Sequence, residues 1–95
     1  MMTKEIDQDL FLKILEEIKE LRSKKNSDYG SSFYDTYNEY GFIGVSMDIG
    51  RKAGRIKVFS KKETLDVSDE TIEDTLRDLS LIAINAMMWQ RTKNK

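Results

Sequence analysis

The chain has 95 residues, 39% of them hydrophobic and 35% charged, and its 16 basic and 17 acidic side chains leave a net charge of −1. That length suits one domain, residues 1–95, with a lean core, and the charge balance excludes a protein that coats nucleic acid or anionic membrane as a whole. There is no Cys and no His, so disulfides, a thiol nucleophile, an imidazole base and the usual zinc sites are excluded, which leaves carboxylates, hydroxyls and Lys for any catalysis and Mg²⁺ as the natural metal.

Glu5, Asp7 and Asp9 do not suit a signal peptide, and the nearly apolar run 79–89 is too short to span a bilayer. A cytoplasmic protein with no membrane partner is expected. The absence of Pro favours uninterrupted helices. In chain order, Phe11, Ile14, Leu15, Ile18 and Leu21 recur at steps of three and four, which predicts a helix over about 6–24. Residues 25–33, rich in Asn, Ser, Asp and Gly, read as a loop. Tyr34, Tyr37 and Tyr40 lie three apart, as in a short helix or turn ending near Gly41. A third helix is predicted over about 42–59, with Ile43, Met47, Ile49, Ala53, Ile56 and Phe59 as its apolar face. Gly44, Gly50 and Gly54 lower its helicity and leave room for a backbone or ligand to approach.

Residues 61–66 read as a polar connector. The last helix is predicted to start at an N-cap Ser68, with Asp69 and Glu70 in its first turn and Val67 packed on Ile72. Its expected core stripe is Ile72, Leu76, Leu79 and Ala83, and it is expected to run to about Gln90. Its second half is apolar nearly all round, more than three partner helices can cover, which predicts a homo-oligomer. The expected fold is all-α, a compact bundle of about four helices.

Three constellations could carry chemistry. Glu70, Asp74 and Asp78 stand four apart on one helical face, where they could hold Mg²⁺ or form ion pairs with Arg51 and Arg55. Arg51 and Arg55, one turn apart with Lys52 beside them, could grip a phosphate. The loop containing Lys25, Asp28, Tyr29, Gly30 and Ser31 offers backbone and hydroxyl donors to phosphate or sugar oxygens, and Tyr29 or Phe33 could stack a base. Glu17 and Glu20 could share a cation, although such pairs are more often solvated.

Lys25…Asp28-Tyr29-Gly30-Ser31, Gly41…Gly44, Arg51-Lys52…Arg55-Ile56 and Val67-Ser68-Asp69-Glu70-Thr71-Ile72-Glu73-Asp74-Thr75-Leu76-Arg77-Asp78-Leu79…Ala83-Ile84 follow in that order. Together, over about residues 10–90, they resemble the nucleotide-modification-associated domain 1 family, small helical proteins frequent in bacteriophages. The resemblance implies nucleotide handling and a distant likeness to the all-α MazG-like nucleoside triphosphate pyrophosphohydrolases. Those enzymes bind Mg²⁺ through Glu-x-x-Glu on one helix and Glu-x-x-Asp on another. Here Glu17 and Glu20 could stand for the first pair, whereas Glu70 and Glu73 give Glu-x-x-Glu in place of the second.

The leading expectation is a phage-type protein of the host cytoplasm that binds a nucleotide or nucleotide-derived small molecule. It would handle a modified nucleotide or sequester a second messenger of host defence, and no nucleic-acid partner is expected. The alternatives are a Mg²⁺-dependent pyrophosphohydrolase, with Glu70, Asp74 and Asp78 as metal ligands, and a structural or protein-interaction domain.

Overall fold

The computed structural model describes residues 4–29, 32–61 and 71–93, and all four elements in them are helices. They are α1 (Lys4–Tyr29), α2 (Ser32–Tyr40), α3 (Phe42–Lys61) and α4 (Ile72–Lys93). The chain divides into two units, Met1–Ser31 and Ser32–Lys95.

The first unit is α1. It runs one turn further than its apolar periodicity predicts, so residues 25–29 are helical and not loop. Asn26 is no strong helix breaker when it continues an already nucleated helix, because propagation costs far less than initiation. Leu10, Phe11, Leu12, Ile14 and Leu15 are exposed along α1.

In the second unit, α2, α3 and α4 all pack against one another. Gly41 makes the corner between α2 and α3. Its φ of 63° is left-handed, its N–H donates to the Tyr37 carbonyl (2.8 Å), and its own carbonyl accepts from Gly44 N–H (3.0 Å). One residue therefore ends one helix and begins the next, in a conformation that favours glycine. Beyond the corner α2 and α3 run so close that a Cβ on Gly44 would lie 3.2 Å from that of Tyr40.

The core is aromatic. Tyr37, Val45 and Trp89 are buried together, with Phe33, Tyr34 and Ala86 packed around them. Trp89 meets Tyr37 and Phe42 edge to face, at centroid distances of 5.8 and 5.1 Å. Its indole N–H donates to Asn38 Oδ1 (3.0 Å), and the Lys93 ammonium sits 4.5 Å over its ring. Contacts of Trp89 with Phe42 near the start of α3, and of Asp78 with Lys52 a few turns along it, set α3 and α4 antiparallel.

These anchors turn both long helices away from their expected orientation. In α4, Thr75, Leu81 and Trp89 are buried, while Ile72, Leu76, Ala83 and Met87 are exposed. Of the expected stripe, Ile72, Leu76 and Ala83 therefore face outward and Leu79 is half-buried, because Trp89 and the Asp78 ion pair both point the other way. In α3 the apolar set divides: Ile43 and Met47 are 70% and 66% exposed, whereas Ile56 and Phe59 are half-buried beside Asp48, Lys52 and Arg55.

Gly41→Ala is expected to destabilise the protein by about 1–2 kcal/mol, the cost of placing a Cβ in the left-handed region. Urea denaturation measures it. An unchanged midpoint would show that the corner opens without cost.

Candidate functional site

The polar surface between α3 and α4 begins with the start of α4. Thr71 precedes the helix and Asp74 follows three residues later. The Thr71 N–H donates to Asp74 Oδ2 (3.0 Å), and the Asp74 N–H donates to Thr71 Oγ1 (3.1 Å). This reciprocal pair is a capping box with Asp in the third position. The expected cap, Ser68, lies outside the described residues, as do Glu70 of the carboxylate row and Gly30 and Ser31 of the loop. Asp74 also accepts from Arg77 (3.1 Å). The bonds from Thr71 and the Arg77 charge hold its carboxyl below the usual 3.8.

Asp78 is the inward carboxylate. It pairs with Lys52 of α3 at 3.1 Å, with the two side chains 22% and 17% exposed. Arg51 turns instead to Asp48 on its own helix (3.3 Å) and is 64% exposed. Of the expected pairing of Arg51 and Arg55 with Asp74 and Asp78, the Arg51 part is corrected: Arg51 takes Asp48, while Lys52 takes Asp78 and Arg77 takes Asp74. The reason is rotational. Arg51 precedes Lys52 by one residue, about 100° around α3, so Lys52 reaches Asp78 on α4 while Arg51 stays at the rim. Arg55, one turn beyond Arg51, is half-buried.

Asp48 links this surface to the core. Its Oδ2 accepts from the Tyr37 hydroxyl (2.8 Å) and its Oδ1 from Arg51. Burial, then the Asp48 hydrogen bond and its negative charge, raise the Tyr37 phenol well above its usual 10.0. Two turns along α4 from Asp78, the side-chain oxygen of Asn85 is buried and has no hydrogen-bond partner among the described residues.

Among the sequence-predicted residues, the structure brings Lys52 and Asp78 together and sets Arg51 and Arg55 on the same side of α3. Lys25, Asp28 and Tyr29 lie in the last turns of α1. Their backbone there is helical, so it does not form the loop cradle expected for phosphate. Among the described residues no three carboxylates gather where they could hold a metal ion, and no helix is long and apolar enough to cross a membrane. Sequence reasoning missed Asp48, Asn38 and Thr71. The spacing of Asp48 and Arg51 was a usable signal, and so was Thr-x-x-Asp at 71–74. Nothing local pointed to Asn38. No family model, curated protein or solved structure matches the chain.

Two outcomes follow. Asp78→Asn is expected to cost roughly 1.5–3 kcal/mol, the worth of a hydrogen bond to a charged group, while replacing Lys52 and Asp78 together with Met and Leu recovers most of it. Thermal melting of the single and double variants tests this, and equal losses in both would refute it. For Asp74 the folded-state value is depressed, so its contribution is complete above pH 3.8 and disappears as pH falls through that lower value. The melting difference between wild type and Asp74→Ala should shrink on acidification from neutral pH; a constant difference would rule out the charged cap.

Proposed function

We propose that this chain binds a nucleotide or nucleotide-derived small molecule on the α3–α4 surface, on the MazG-like plan that its sequence motifs resemble. The observation that carries this reading is the chemistry of that surface. Arg51, Lys52 and Arg55 crowd onto little more than one turn of α3, and Lys52 is turned toward α4, where Asp78 pairs with it. A packed helix pair gains most from apolar contact, so charge retained there costs desolvation that a ligand's phosphate would offset. Arg51 and Arg55 offer guanidinium forks to a phosphoryl group, and Asn85 offers an acceptor to an amino or hydroxyl donor. In a phage-infected cytoplasm such a module would handle a modified nucleotide or sequester a nucleotide messenger of host defence.

A structural role is the second reading. It is favoured by the ion pairs themselves, since Lys52 and Asp78 already satisfy each other and Asp74 is committed to its cap. Turnover of a nucleoside triphosphate with Mg²⁺ at Glu70, Asp74 and Asp78 would require Asp74 to leave that cap.

Calorimetric titration with a panel of nucleoside mono-, di- and triphosphates and cyclic dinucleotides, with and without Mg²⁺, separates these readings, with product analysis to detect cleavage. For the best ligand, Arg55→Ala is expected to weaken binding by roughly one to two orders of magnitude, the equivalent of one charge-assisted hydrogen bond. Arg55→Lys should also weaken it, because Lys keeps the charge and loses the planar fork. Normal affinity in both variants, with lowered melting temperature, would favour the structural role.

A further inference from the structure

Burial sets the pair of Lys52 and Asp78 apart from its neighbours on the α3–α4 surface. The two side chains are 17% and 22% exposed, whereas Arg51 is 64% exposed and held by Asp48 at a longer 3.3 Å. Lys52 thus gives its ammonium to a carboxylate on the opposite helix, and little of that ammonium stays open to water. Carboxylate and phosphate oxygens are interchangeable acceptors for such a donor. Asp78 therefore occupies the position that a phosphoryl group gripped by Arg51 and Arg55 would take against Lys52.

We propose that Asp78 is a built-in competitor for the ligand's phosphate, so that the site takes a phosphate monoester and discriminates against a phosphodiester. The inference rests on the nucleotide-binding reading above and narrows it to one ligand class. Its basis is the charge balance of an exchange. To reach so closed an ammonium, a phosphate has to replace a carboxylate that bears one negative charge. A diester also bears one negative charge per phosphate. That swap gains no attraction and gives up a pair already in place, so a diester is left with Arg51 and Arg55 at the rim.

A monoester differs in two respects. It carries about −1.5 to −2 at pH 7 and presents three strong acceptor oxygens, against the two of a carboxylate. Arg51, Lys52 and Arg55 outnumber Asp48 and Asp78, so the additional charge adds attraction. Asp78 in this role lowers affinity for every anion and leaves only the dianion able to displace it. A metal ligand at the same position would raise affinity, and a purely structural ion pair would leave it unchanged.

The sign of the effect is therefore the test. Calorimetric titration of the full-length chain uses ribonucleoside monophosphates, each as the open monoester and as the internally cyclised diester, which share base and sugar. Wild type is expected to bind the monoester of its preferred base about tenfold more tightly than the cyclic form. Asp78→Asn should tighten both by about tenfold, although it melts lower. The paired replacement Lys52→Met with Asp78→Leu, which restores stability, supplies a second readout. There the monoester should weaken, having lost Lys52, while the cyclic form should bind as it does to wild type. Equal affinity of the two forms for wild type would overturn the proposal. So would unchanged or weaker monoester binding by folded Asp78→Asn, or equal losses of both forms in the paired variant. Those results leave nucleotide binding itself standing. Binding of neither form to wild type or to Asp78→Asn would remove that reading, and this inference with it.

Discussion

Tyr37 is the side chain around which residues 32–93 are arranged. Its ring is almost wholly buried against Trp89 and Val45, and its hydroxyl reaches out of that apolar setting to the Asp48 carboxylate at 2.8 Å. The two ends impose different demands. The ring fixes the distance of α4, and the hydroxyl fixes the rotation of α3, since only one face of α3 can present Asp48 to it. A buried phenol without such an acceptor would carry a desolvation penalty. The same bond makes the fold sensitive to alkali. Burial first, then the hydrogen bond to Asp48 and the second negative charge that ionisation would set against it, hold the Tyr37 proton firmly.

The charge pattern of the unit follows from that rotation. With Asp48 turned inward, Lys52 one turn later is also turned inward and meets Asp78, and Arg51 is left at the rim. The side of α3 opposite Tyr37 must then carry whatever remains, and what remains is Ile43, Met47, two glycines and Val58. One hydroxyl–carboxylate bond thereby gives α3 a charged inner side and an apolar outer side.

Much of this was legible in the chain beforehand. The four helical segments, the break at Gly41 and the absence of any strand signal followed from periodicity and from the lack of Pro. The pairing of Lys52 with Asp78 was not legible, because 26 residues separate them and several carboxylates and bases were equally spaced for the role. The capping box was present as Thr71 and Asp74, but Ser68 with Asp69 and Glu70 offered a competing start three residues earlier. Local rules alone do not choose between two good caps. The loop expected at 25–33 shortened for a similar reason: polar residues were read as a break, although a long helix can absorb several of them in its final turns.

The amino-acid sequence by itself determined that the described elements are helices and where most of them begin and end, because capping, glycine corners and apolar periodicity act within one or two turns of chain. It also determined which chemistry is available, by omitting Cys and His. Only the tertiary structure decided how each helix is rotated, and therefore whether Arg51 or Lys52 meets α4 and whether Ile72 or Trp89 lies inside. Helical periodicity marks apolar faces without ranking them, and α3 and α4 each carry more than one. The choice was made by contacts between residues 11 to 51 positions apart, whose strength depends on burial that no single helix possesses until its neighbours are in place.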